Sequence, residues 1–230
     1  MNLRIPICFC LATLLAAAST HGQGTFQNLN FELANIVPIP GQPFAVTVAN
    51  ALPGWTVDYG NVQQTQISYN QVVLGGETWV TLYANGYPDL PGPIIDGNFS
   101  VLLQGGEVSG VQAPASISQT GQVPSGTQTL LFDQVGSPTF PPEPAQVFIG
   151  NHQLSLFSVG TEGNYTVYGA NISAWAGQSE QLTFSSPGGN YLIDDISFST
   201  QSIPEPSPLV LTGLGALAFA LYRRFAPKRP

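Results

Sequence analysis

Glu77-Thr78-Trp79-Val80-Thr81-Leu82-Tyr83-Ala84 sets Val80 and Leu82 against Trp79, Thr81 and Tyr83 on alternate positions. A period of two is the pattern of a strand with one face in a core. Similar stretches, rich in Val, Ile, Thr, Phe and Tyr, recur between Gly, Pro, Asn and Ser turn signals. They are Phe44 to Val48, Asn98 to Leu103, Gln128 to Phe132, Gln153 to Val159, Tyr165 to Ala174, Gln181 to Phe184 and Tyr191 to Phe198. In the sixth of these eight stretches Ile172 and Ala174 oppose Asn171, Ser173 and Trp175. No window between residues 25 and 203 has helical periodicity, so these residues are predicted to form one all-β domain, an antiparallel two-sheet β-sandwich. Two proline-bearing loops, Tyr87 to Pro93 and Gly136 to Pro144, interrupt the strands; proline there stiffens the connection and blocks edge pairing.

Charge is partitioned along the chain. All five Lys and Arg residues lie at the two ends, Arg4 and then Arg223, Arg224, Lys228 and Arg229, while all thirteen acids lie between Arg4 and Arg223, twelve of them within residues 25–203. An acidic domain without Lys or Arg is excluded from nucleic-acid recognition, which draws its affinity from those residues. Anionic polysaccharide would need a bridging cation. The same charge balance also serves solubility by mutual repulsion.

Both ends read as targeting segments. Arg4 precedes an apolar stretch from Ile5 to Ala18, and Ala16-Ala17-Ala18-Ser19 supplies small residues for a signal peptidase, so residues 1–24 read as a cleavable secretory signal with a helical apolar stretch. Cys8 and Cys10 are the only cysteines and fall inside it, which leaves the mature domain without disulfide or thiol chemistry. At the other end Pro204-Glu205-Pro206 is followed by sixteen mainly apolar residues, Ser207 to Tyr222, and then by the basic cluster. As a helix that run spans about 24 Å, enough to cross a bilayer core of about 30 Å with local thinning and snorkelling. The basic residues after it are expected to stay in the cytoplasm, with the domain on the far side.

Pro204, Glu205 and Pro206, the apolar helix and Arg223-Arg224 together resemble the PEP-CTERM sorting domain of exported bacterial proteins, over residues 204–230. The resemblance implies export, a transient stay in the inner membrane, processing near the triplet by the transpeptidase exosortase, and release to the cell surface or extracellular matrix, often beside extracellular polysaccharide. The alternative is a plain single-pass anchor.

The ends of the domain, Asn28-Leu29-Asn30-Phe31-Glu32, Pro53-Gly54-Trp55-Thr56-Val57 and Asp194-Asp195-Ile196-Ser197-Phe198, resemble the galactose-binding-like jelly-roll, a fold used by carbohydrate-binding modules. In such modules the first and last strands commonly hold a structural Ca²⁺, which makes Glu32, Asp194 and Asp195 a candidate metal site. Strict alternation puts Asp194 on the face of Leu192, Ile196 and Phe198, the face expected to pack. A carboxylate buried there needs backbone N–H groups, hydroxyls, a cation or a proton.

Catalytic chemistry finds little support. His152, in the polar turn Gly150-Asn151-His152-Gln153, is the only histidine after His21, and no nucleophile elbow or His pair at metal spacing occurs. Two carboxylates suffice for a glycosidase, so an exported glycoside hydrolase or lyase is the alternative to a noncatalytic surface protein. Glycan binding needs aromatic faces with polar neighbours. Trp79 and Tyr83, on one face of one strand, are the candidate platform, with packing between sheets as the competing role; Trp55 reads as a buried corner residue and Trp175 as an edge residue. Neutral glycans are expected, because no cation is present for acidic sugars.

Overall fold

A computed structural model of the chain describes residues 25–71, 76–87, 94–136 and 144–202. The predicted signal, the Pro204-Glu205-Pro206 triplet, the apolar run and Arg223-Arg224 lie outside the described residues. The strands are, in chain order, β1 Pro38–Ile39, β2 Gln42–Thr47, β3 Thr56–Tyr59, β4 Val62–Gln64, β5 Gln66–Tyr69, β6 Trp79–Ala84, β7 Phe99–Gln104, β8 Gly106–Val108 and β9 Val111–Ala113. They continue with β10 Ala115–Gln122, β11 Thr129–Gly136, β12 Gln146–Ile149, β13 His152–Gln153, β14 Phe157–Glu162, β15 Tyr165–Asn171, β16 Ser179–Ser186 and β17 Asn190–Ser199. Among the described residues the only helical elements are single turns, Val48–Ala51 and Ser173–Trp175.

These strands make the expected β-sandwich. One sheet has nine strands in the order β1-β2-β5-β6-β7-β17-β11-β15-β14, the other six in the order β13-β12-β16-β10-β3-β4, and β8 and β9 form a separate hairpin. Pairing between these strands is antiparallel except between β5 and β6, which run parallel with Ser68 opposite Thr81. The chain enters β5 from the smaller sheet, through Thr65, and so meets β6 from the same end as β6 itself. Alternate residues of both sheets fill the space between them. Val80, Leu82, Val101, Leu103, Leu130 and Phe132 on the larger sheet face Val57, Ile117, Val147, Ile149, Leu182 and Phe184 on the smaller. Phe132 meets Phe184 edge-on at 5.1 Å between ring centres, a favoured aromatic geometry.

Three local readings differ from expectation, each for a physical reason. The Tyr165 to Ala174 stretch stops being a strand at Asn171, because Asn171 Oδ1 accepts the Ser173 N–H at 3.0 Å and the Ser173 hydroxyl at 2.8 Å. That local bond competes with the ladder and turns Ser173–Trp175 into a 3₁₀ turn, so Ala174 and Trp175 do not continue the alternation. The Gln153 to Val159 stretch divides, with only the two-residue β13 and then the exposed edge strand β14. The polar sequence of β10, Ala-Ser-Ile-Ser-Gln-Thr-Gly-Gln, carries no strong strand signal, yet β10 pairs with both β16 and β3 in the middle of the smaller sheet.

The closing strand β17 buries Asp194 on the face of Leu192, as expected, but Ile196 and Phe198 do not share that face. Its register with β11 shifts between Leu131 and Asp133, and Asp195 has φ 45°, the mark of a bulged residue. The extra residue lets both Ile193 and Ile196 point into the core, while Leu192 and Asp194 share the opposite face. That outer face is not bare. Leu192 packs there with Tyr83 and Ile94, supported by Tyr87, Ile95, Leu102 and Val135, so part of the segment between β6 and β7 lies over the sheet.

Candidate functional site

The strand β6 begins with Trp79 at the side of the sandwich where β4 ends the smaller sheet. A cavity of about 410 Å³ opens there, lined by Trp79, Tyr59 and Phe44 together with Gln42, Gln64, Gln66 and Gln71. Its volume falls within the range of about 300 to 1,000 Å³ of small-molecule pockets. No ionisable acid, Lys, Arg or His is among the described residues that line it.

Trp79 and Tyr59 are each held from behind. The Trp79 indole N–H donates to Ser68 Oγ at 2.5 Å, and Ser68 donates in turn to Gln71 Oε1 at 3.2 Å. The Trp79 and Tyr59 rings lie 5.7 Å apart at 31°. Tyr59 is itself tied to β6, because its hydroxyl accepts the Val80 N–H at 3.1 Å. Burial pushes the Tyr59 phenol up to about 12, partly offset by that N–H, so it stays protonated and neutral at physiological pH. Phe44 on β2, which also lines the cavity, remains 53% exposed. The Trp79 ring is half-buried and fixed, and of the amides around it Gln42 and Gln66 are exposed while Gln64 and Gln71 are half-buried. Such a site can stack an apolar ring face and hydrogen-bond the groups around its rim.

Tyr83 does not join this cleft. It is 2% exposed, stacks on Tyr87 at 5.7 Å, and donates its hydroxyl to the Gln71 carbonyl at 3.0 Å. The expected Trp79–Tyr83 platform is therefore corrected to Trp79 alone. Alternation placed the two on one face correctly, but the covering segment that carries Tyr87 and Ile94 buries the second. The partners that replace it, Tyr59, Phe44 and the glutamines, come from β2, the β3–β4 hairpin and β5. The dense Gln63-Gln64-Thr65-Gln66 run was the available signal.

The opening segment is tied to β17 by the Ile196 N–H, which donates to the Leu29 carbonyl at 3.0 Å, and Asp195 there feels the charges of Asp96 and Glu32. Glu32 Oε1 accepts the Asn98 N–H at 2.7 Å and the Phe99 N–H at 2.9 Å, and its Oε2 accepts Asn98 Nδ2 at 2.8 Å. Gly97, with φ 61°, lies so close that a Cβ there would run into the Glu32 carboxylate. Asp194 is 1% exposed; its Oδ2 accepts the Ser100 hydroxyl at 2.6 Å and its Oδ1 accepts the Asp195 N–H at 2.8 Å. A calcium ion needs six to eight oxygens turned toward it, whereas these oxygens face N–H and O–H donors. No group of three or more acidic, His or Cys side chains among the described residues is arranged to hold a metal. As arranged, the site does not fit Ca²⁺.

Without a counterion, burial works against ionisation of the acids here. Burial raises the Asp194 carboxyl to about 7, against the pull of its hydrogen bonds. Burial, then the charges of Asp195, Glu162 and Asp96, raises Asp133 to about 6. Asp133 stands directly opposite Asp194 in the β11–β17 ladder. Asp195 is also raised, by burial first and then by Asp96 and Glu32.

The remaining singled-out residues are structural or apart. Trp55 is buried and donates its indole N–H to the Asn28 carbonyl at 3.0 Å, next to Phe31 at 5.8 Å. His152 is exposed, with its ring 5.7 Å from that of Trp175.

No protein-family model and no curated protein matches the chain. Solved structures similar to it include the enzymatically active domain of tailspike protein 4 of bacteriophage CBA120, at 13% identity and TM-score 0.36, over 76% of this chain and 21% of that one. This chain thus spans about a fifth of the tailspike chain's length. A family 11 carbohydrate-binding module from Clostridium thermocellum, in complex with a β-1,3-1,4-mixed-linked tetrasaccharide, is similar at 10% identity and TM-score 0.36, over 70% of this chain and 97% of that one. TmCBM61, in complex with β-1,4-galactotriose, is similar at 14% identity and TM-score 0.33, over 78% and 99% of the two chains.

Proposed function

We propose that the chain is an exported, noncatalytic surface or matrix protein whose β-sandwich binds saccharide in the cleft at Trp79. The observation that carries this is the Trp79 ring, fixed by Ser68 and Tyr59 in an uncharged cavity rimmed by glutamine amides. A sugar ring has apolar C–H faces for stacking and hydroxyls at its edge for the amides. The N-terminal signal and the Pro204-Glu205-Pro206 tail support export by signal peptidase, a stay in the inner membrane and processing by exosortase, with extracellular polysaccharide as the partner of the folded domain.

A noncatalytic role is favoured over a glycosidase because Asp194, which stands opposite Asp133 in the β11–β17 ladder and shares its raised carboxyl, is sealed and has both oxygens occupied. A glycosidase needs both carboxyls at the glycosidic bond. The test is retention on a broad polysaccharide panel, with release of reducing ends followed in parallel. The unmodified chain is expected to be retained without releasing sugar, and Trp79→Ala to lose retention. Absence of retention across the panel, or steady release of reducing ends, would reject the proposal.

A further inference from the structure

We infer that the cleft takes uncharged saccharides, and that the Trp79–Ser68–Gln71 relay turns a hydrogen-bond donor toward them. The inference rests on the saccharide reading of this cleft and adds to it the ligand class and the polarity of one contact. An indole N–H can only donate, so Ser68 Oγ must be its acceptor. The Ser68 proton then goes to Gln71, which fixes the Gln71 oxygen toward Ser68. What is left is the Gln71 Nε2 amide, two donors on a side chain that lines the cavity. Its counterpart on a ligand has to be an acceptor oxygen, as on a hydroxyl or sugar ring.

The rest of the rim is ambivalent rather than charged. Gln42 and Gln66 are exposed, line the cavity and make no side-chain hydrogen bond among the described residues, so each offers a donor and an acceptor. That combination matches a hydroxyl, which does both. A uronate or sulfate would instead bring a negative charge into a cleft with no cation. It would enter a domain that has no Lys or Arg between Ile5 and Tyr222 and carries most of the thirteen acids. Partial desolvation of an unpaired charge there is unfavourable, and the acidic field opposes its approach.

Calorimetric titration of the purified full chain with short neutral gluco-, manno- and galacto-oligosaccharides, and with oligogalacturonate of the same length, separates the possibilities. At least one neutral series is expected to bind, with oligogalacturonate at least tenfold weaker. Gln71→Glu keeps the acceptor for Ser68 but replaces the donor amide by a second acceptor; it is expected to weaken the neutral ligand at least tenfold at an unchanged denaturation midpoint. Gln71→Met, which keeps the side-chain length but has no N–H donor, is expected to weaken it comparably and decides the matter if Gln71→Glu does not fold, while Gln66→Ala, at an exposed position, is expected to weaken it several-fold. Oligogalacturonate binding as tightly as the neutral sugars would overturn the ligand class. Unchanged affinity in Gln71→Glu would overturn the relay while leaving saccharide binding intact. No binding by either class would overturn the saccharide reading itself, and this inference with it.

Discussion

A carboxylate in a domain without cations has to find N–H or O–H donors or keep a proton, and Glu32 and Asp194 illustrate the two outcomes. Glu32 ties the opening segment to the start of β7 through three hydrogen bonds. Hydrogen bonds to charged groups contribute about 1.5 to 3 kcal/mol each in favourable settings and are not additive, so Glu32→Ala is expected to cost about 2 to 3 kcal/mol by urea denaturation; a change under about 0.5 kcal/mol would remove this role. Excess chelator is expected to leave the melting temperature of the metal-equilibrated protein unchanged, and a clear drop would restore a metal to the site. Asp194 and Asp133 set a pH dependence. Their folded values, about 7 and about 6, lie above the ordinary 3.8, so between these values the folded state holds protons that the unfolded chain has released. Stability contributed by the protonated carboxyls is therefore present at the acid end and falls as pH rises from about 4 to 7, by up to about 1.4 kcal/mol per pH unit for each group. Asp194→Asn is expected to flatten that slope in denaturation midpoints measured across the window; an equal slope in the variant would contradict the assignment.

At the scale of elements, β6 was legible because Val80 and Leu82 alternate cleanly with Trp79, Thr81 and Tyr83, and the side facing the core follows from that alone. The same rule misled at β17, where a single bulged residue, Asp195, lets Ile193 and Ile196 both enter the core. Nothing in Asp-Asp-Ile distinguishes a bulge from a regular strand, since the cause lies in the β11 partner. Asn171 ended β15 by a side-chain bond that its own sequence neighbour, Ser173, supplies, so that signal was present and outweighed by the β-branched run. β10 was hidden because its Ser and Gln residues are paired from both sides by neighbours far along the chain. The cleft was half legible. Trp79 was identified, but Phe44 and Gln71 reach it through the β2–β5 and parallel β5–β6 pairings and Tyr59 from the other sheet, which no local pattern announces. Burial of Tyr83 gives a direct check: Tyr83→Ala is expected to cost about 3 to 5 kcal/mol, as for other large core truncations, whereas Trp79→Ala, at a half-buried ring, costs less. A Tyr83→Ala variant of wild-type stability would mean that the covering segment does not pack as described.

Across the whole molecule, charge is partitioned: residues 25–203 carry twelve acids and no Lys or Arg. The Lys and Arg residues all lie in the two end segments expected from the sequence to serve targeting, and removing those segments would leave a domain with no fixed positive charge. The last strand runs to Ser199, and the Gln201 carbonyl still accepts the Thr129 hydroxyl at 2.7 Å, so the fold holds the chain to within three residues of Pro204. Mass spectrometry of the mature population is expected to find chains cut near Pro204-Glu205-Pro206; peptides running uncut from Ser199 through Arg223 would instead support a plain anchor. The most direct test of saccharide binding at Trp79 uses the three tryptophans, one indole N–H each. In ¹⁵N-resolved NMR of the chain titrated with the neutral oligosaccharide that it retains, the Trp79 indole signal is predicted to shift saturably while those of buried Trp55 and of Trp175 stay in place. Saturable movement of the Trp175 signal with Trp79 unmoved would place the ligand elsewhere and contradict the account.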